Sequence, residues 1–120
     1  MKQIRAYIQP FMLSKVTLAL QKIPEFPGMS VSDCKGFGRG KADKEKHRII
    51  EDLVEYVPKV RIEIVVKDEI VDEVVQTIEQ AAHTGNRGDG KIFVMNVEQA
   101  VRIRTGERGD DAIWSKIKDD

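Results

Sequence analysis

Residues 60–97 read VRIEIVVKDEIVDEVVQTIEQAAHTGNRGDGKIFVMNV, and three patterns follow one another along this stretch. Val60, Ile62, Ile64 and Val66 recur at period two, as in a strand with one buried face. Asp68 stands where a helix N-cap is expected, and Ile70, Val71, Val74, Val75, Ile78, Ala81 and Ala82 then form one apolar stripe at helical spacing. Gly85 ends that helix. A second strand, Ile92 to Val97, follows Gly88-Asp89-Gly90-Lys91 directly.

The same order appears upstream. Ile4, Ala6 and Ile8 alternate on a strand that Pro10 ends. Ser14 is the expected N-cap of a helix carrying Leu13, Val16, Leu20 and Ile23, which Pro24, Pro27 and Gly28 close. Met29, Val31 and Asp33 alternate on a strand running into Lys35-Gly36-Phe37-Gly38. Two β-α-β units in series give an α+β domain of the ferredoxin-like split βαββαβ type, with a long loop between the second and third strands. That loop, residues 39–57, is far longer than the two to five or so residues a hairpin needs. Seven of the ten residues from Arg39 to Arg48 are charged, so the stretch cannot bury itself. It is either a regulatory loop or a solvated insertion. Residues 49–58 fit a helix or the incoming part of a strand that Pro58 interrupts.

A chain of 120 residues holds one domain, here 1–113 with a tail at 114–120. Twenty basic and twenty acidic residues give no net charge, which argues against a nucleic-acid partner. The one cysteine, Cys34, excludes an intramolecular disulfide and a multi-cysteine zinc site, and reads as a buried structural thiol. No run is long enough for a membrane span and the N-terminus has no signal-peptide core, so a cytoplasmic protein without direct membrane insertion is expected.

The chemistry-bearing residues are few. Three glycines and a lysine in Thr84–Lys91 suit a loop that cradles phosphate through backbone N–H groups, although a tight glycine turn before a strand explains them equally well. The Walker A spacing is missing. Arg102 and Arg104, if extended, point the same way and could clamp a polyanion, or form a solvated arginine face. Gly36, Gly38 and Arg39 stand at the root of the long loop. His47 and His83 lack metal-ligand spacing, and His83 is placed to meet the last carbonyls of its helix. No metal site and no nucleophile–base pair is evident, so no enzyme is expected. Trp114 reads as packing on the sheet or on a neighbouring subunit, and Asp110-Asp111 and Asp119-Asp120 as a solvated tail.

With KGFGR, PKVRIEIVV, TGNRGDGKIFV and RIRTGERGDDAI in order, the chain resembles the nitrogen-regulatory P-II signal-transduction proteins from Met1 to about Ile113. The resemblance implies a homotrimer that binds ATP or ADP as effector between subunits and controls a protein target, a transporter or a metabolic enzyme, through its long T-loop. Carried over by motif, the phosphates meet Gly36, Phe37, Gly38, Arg39, Gly88, Asp89, Gly90 and Lys91. Arg102 and Arg104 reach in from the adjacent subunit, with Ser30 and Val65 near the adenine. Lys59 matches the family lysine that meets 2-oxoglutarate. The pattern departs at Gly40, where typical members carry a glutamine that helps hold magnesium. It departs again at His47–Asp52, where the uridylylated tyrosine is absent; Tyr56 lies beyond, next to the strand. Nucleotide binding kept, 2-oxoglutarate binding weakened or lost and uridylylation absent are the expectations, with the need for Mg2+ open. The alternative is a metal-responsive ferredoxin-like trimer, with His47 and nearby acids as its ligands.

Overall fold

The computed structural model describes residues 1–38 and 56–115. Four strands, β1 (Lys2–Ile8), β2 (Ser30–Gly36), β3 (Val57–Val66) and β4 (Lys91–Asn96), form one sheet in the order β2-β3-β1-β4. Every neighbouring pair is antiparallel, with Ile4 opposite both Ile64 and Val94. Helices α1 (Leu13–Gln21) and α2 (Val71–Ala82) cover one face, and a short α3 (Asp110–Ile113) follows the sheet. This is the ferredoxin-like βαββαβ arrangement.

Strand alternation and helix stripe meet in one core. Ile4, Ala6 and Ile8 of β1 and Val60, Ile62, Ile64 and Val66 of β3 pack on Val16 and Leu20 of α1 and on Val74, Ile78, Ala81 and Ala82 of α2. No polar or charged residue is buried among the described residues. The opposite sheet face carries Gln3, Arg5 and Tyr7 beside Arg61, Glu63 and Phe93. Glu63 accepts a hydrogen bond from Gln3 Nε2 at 2.8 Å and faces the Arg5 and Arg61 guanidinium groups at 3.5 Å each.

Several local expectations are corrected. Ser14 lies inside α1, not at its cap, because a 3-10 turn at Pro10–Met12 starts the helical path and Met12 takes the cap position. Asp68 opens a 3-10 turn, Asp68–Ile70, and its carboxylate accepts a hydrogen bond from the Met1 amino group at 2.7 Å, so it caps nothing. Pro58 does not interrupt β3. It pairs with Lys35 of β2, while the β1 pairing stops at Val60, which leaves Pro58 an open side for its missing N–H. Cys34 is half-buried opposite Lys59, not in the core. Asp110 and Asp111 are in α3, not in a tail. Residues 49–55 and Asp119-Asp120 lie outside the described residues.

Candidate functional site

The antiparallel pairing gives the sheet two unlike ends. Ile8, Gly36, Val57 and Lys91 mark one; Lys2, Val66 and Asn96 mark the other. The six steps of β1 between Lys2 and Ile8 span about 20 Å.

The connection from α2 to β4 lies at the first end. Its carboxylate brace is Asp89, which accepts from the Thr84 amide at 2.8 Å, the Gly85 amide at 2.9 Å and the Thr84 hydroxyl. The Thr84 hydrogen bonds hold the Asp89 carboxyl below the usual carboxylate range, with smaller help from the Gly85 amide and from His83. His83 Nδ1 lies 3.9 Å from Asp89, so this imidazole faces the loop carboxylate rather than the last helical carbonyls. Gly85, Gly88 and Gly90 all have positive φ. At Gly90, φ is +108° and a Cβ would sit 1.6 Å from the Tyr7 carbonyl oxygen, so the loop crosses β1 at backbone contact.

The braced loop is tied across the sheet. Lys59 Nζ donates to the Gly88 carbonyl, and Lys59 pairs with Cys34 two residues before Gly36. Gly36, Phe37 and Gly38 are thereby gathered with Gly88, Asp89, Gly90 and Lys91 at one end. Phe37 and Tyr56 close the root of the long connection with an edge-to-face contact, centroids 5.2 Å apart, so Tyr56 packs on the neighbouring strand exit. Lys91 is exposed at the start of β4. Arg39, Gly40, His47 and the rest of 39–55 lie outside the described residues.

Arg102 and Arg104 are elsewhere. Val97 N–H donates to the Met1 carbonyl at 3.2 Å, which starts the C-terminal segment at the second end. The two arginines are not on an extended segment. Gly106 N–H donates to the Arg102 carbonyl at 2.8 Å and Arg102 N–H to the Glu107 carbonyl at 2.9 Å, closing a turn bridged by Val101 and Arg108. The physical reason is Gly106, whose φ of +76° reverses the chain. The Arg102 guanidinium is largely covered, 3.5 Å from Glu107 and 3.4 Å from the Ala112 carbonyl, while Arg104 is exposed. Val65, opposite Gln3, lies at this second end, whereas Ser30 opens β2 opposite Glu63, three residues short of Val66. The Trp114 ring is half-buried there, 5.3 Å from the ammonium of Lys67, the residue that follows β3.

Two features escaped sequence reading: the Lys59 tie to Gly88, and the Asp89 carboxylate as the brace of its own loop. Thr84 and Asp89 flanking a glycine-rich turn was the available signal for the brace. The Asp89 arrangement makes a sign-definite prediction. A carboxyl with a lowered folded-state pKa contributes stability in full above the unfolded value of about 3.9, and loses it as pH falls through the lowered folded value. Below about pH 5 the Thr84 and Gly85 amide resonances should titrate with a midpoint below that of a free carboxylate. A midpoint at or above about 4 would contradict the brace.

A four-stranded antiparallel sheet with two helices on one face and a braced glycine loop at one end defines a ferredoxin-like α+β domain. The family model described as nitrogen regulatory protein P-II matches residues 1–107. The chain is 51% identical over 113 residues to the nitrogen regulatory protein P-II of Azospirillum brasilense, covering 94% of this chain and 100% of that one. It is 52% identical, with the same coverage, to nitrogen regulatory protein P-II 1 of Escherichia coli (strain K12). Against nitrogen regulatory protein P-II of Haemophilus influenzae the identity is 49% over 113 residues. The chain belongs to the P-II family of nitrogen-regulatory signal-transduction proteins. No helix among the described residues is long and apolar enough to cross a membrane, and no group of three or more His, Cys, Asp or Glu side chains among them is placed to hold a metal ion.

Proposed function

We propose that this chain is a cytoplasmic adenine-nucleotide sensor, a regulator and not an enzyme. It binds ATP or ADP between the subunits of a homotrimer and acts on a protein target, a transporter or a metabolic enzyme, through residues 39–57. The observation that carries this reading is the division of the site residues. Two glycine runs and Lys91 gather at one end of the sheet, held by the Lys59–Gly88 hydrogen bond, while Arg102 and Arg104 belong to the other end. A strand length of about 20 Å separates them, so the arginines of one copy serve the glycine loop of another. The uncovered sheet face supports assembly as well. Arg5 Nε is buried there with no hydrogen-bond partner among the described residues, and Phe93 is 48% exposed.

Phosphate oxygens are met in this reading by backbone N–H groups of Gly36–Gly38 and Gly88–Gly90, with Lys91, Arg39 and the partner arginines supplying positive charge. Ser30 and Val65 flank the adenine. The phosphates then order the root of the connection at Phe37, and that order sets affinity for the target. Lys59 is already engaged by Gly88, and Gly40 has no side chain to ligate magnesium, which together favour weak 2-oxoglutarate binding and a divergent branch of the family.

Calorimetric titration of ATP and ADP, with and without Mg2+ and 2-oxoglutarate, tests this directly. Nucleotide binding that ignores 2-oxoglutarate is the expected result; absence of nucleotide binding overturns the proposal. Arg102→Ala and Arg104→Ala should each weaken ATP binding by about 1–3 kcal/mol, the scale of a charge-assisted hydrogen bond. Unchanged affinity in both would remove the clamp.

A further inference from the structure

The turn at residues 101–108 holds one apolar side chain out into solvent. Ile103 is 98% exposed, more than any other large apolar side chain among the described residues. The backbone beneath it is fixed. Gly106 N–H donates to the Arg102 carbonyl at 2.8 Å, Arg102 N–H to the Glu107 carbonyl at 2.9 Å and Gly109 N–H to the Ala100 carbonyl at 3.0 Å. The Arg102–Glu107 ion pair at 3.5 Å braces the same turn. A knob carried on a braced turn gives up little conformational freedom when it is buried, which favours its use in association.

A matching hole lies beside the glycine loop. A cavity of about 370 Å³ sits between α2 and the start of β4, and Gly90 and Lys91 form part of its wall. Its apolar lining is Ile8, Ile78 and Ala82, which are buried, with Val75 and Ile92, which are half-buried. The cavity and the knob belong to opposite ends of the sheet, about 20 Å apart. One chain's Ile103 is therefore out of reach of its own cavity.

We propose that Ile103 of one copy fills the α2–β4 cavity of the next, so that this apolar contact and the nucleotide site form together. The inference rests on the reading that the arginines of one copy serve another copy's glycine loop. Ile103 joins Arg102 to Arg104, and its Cα lies about 3.8 Å from each of theirs. Wherever those arginines meet the loop, Ile103 stands beside it, and the cavity shares Gly90 and Lys91 with that loop. The exposed Glu79 carboxylate on the cavity lining is opposite in charge to the exposed Arg104 beside the knob. Knob and hole are different surfaces of one chain, so the contact runs head to tail, and a closed ring fills every cavity.

The test uses the full chain in a Cys34→Ser background. Ile103→Cys with Val75→Cys should form a disulfide between chains on mild oxidation. It should do so at least about tenfold faster than Ile103→Cys with Leu18→Cys, whose position on α1 is exposed, through the raised effective concentration of docked groups. Equal rates in a protein that sediments as an assembly overturn the knob-and-cavity contact alone. Sedimentation as a monomer overturns the contact and the reading of a shared site together. A disulfide within one chain also overturns the contact. Without any cysteine change, Ile103→Asp should speed subunit exchange between labelled and unlabelled protein at least about tenfold, because interface substitutions act mainly on dissociation. Ile103→Leu should keep the unaltered rate. Exchange that Ile103→Asp leaves unchanged overturns the proposal.

Discussion

Gly90→Ala should destabilise the protein by about 2–5 kcal/mol, the sum of a positive-φ cost near 1–2 and an overpacking cost near 1–3 kcal/mol. Two physical effects act at this one position. The backbone holds φ at +108°, which an L side chain resists, and the added Cβ would lie 1.6 Å from the Tyr7 oxygen and 2.7 Å from its carbonyl carbon. Both obstacles are backbone atoms of β1 and cannot rotate away. The loop must therefore lift from the strand, which pulls Lys91 and the Asp89 brace out of register. Gly106 is the internal comparison. Its φ is +76° and an added methyl there would meet no described atom within 4 Å, so Gly106→Ala bears the backbone cost alone. Chemical denaturation should rank Gly90→Ala well below Gly106→Ala; equal losses would mean that the loop does not rest on β1. In the proposed function, nucleotide affinity should fall with Gly90→Ala in parallel.

Ile62→Ala should cost about 2–5 kcal/mol, a large share of the roughly 5–15 kcal/mol that holds a domain folded. Ile62 is fully buried on β3, with Ala6 of β1 on one side and Val31 of β2 on the other. Truncation leaves a cavity under the helices and puts a weak strand former in the middle of the sheet. Ile78→Ala removes the same atoms from α2, where Ile78 is equally buried, but alanine is the better helix former and offsets a few tenths of a kcal/mol. Urea denaturation should therefore show Ile62→Ala as the less stable of the two. A loss below about 1 kcal/mol for Ile62→Ala would contradict its place at the centre of the core.

The periodic elements were legible because burial acts residue by residue along a strand or helix. The alternation from Val60 to Val66 and the stripe from Ile70 to Ala82 each report which side faces the core, and both are found there. Caps and turns were less legible. Ser14 and Asp68 have the right chemistry for N-caps, yet a 3-10 turn precedes each helix and moves the cap position. Arg102 and Arg104 read as extended because alternation ignores the reversal that Gly106 introduces.

The sequence by itself determined the order of the four strands and two long helices, the core face of β1, β3, α1 and α2, the glycine-rich loop and the family. The elements and their faces follow from local propensity and burial period, which neighbouring residues carry, and the family follows from the resemblance of the motifs. The tertiary structure decided which functional groups share an end of the sheet. Antiparallel register sets Cys34, just before Gly36, beside Lys59 and brings Lys59 against Gly88, and it sends the C-terminal arginines to the opposite end. The Lys59–Gly88 hydrogen bond joins residues 29 positions apart, and no pattern within a short window encodes it.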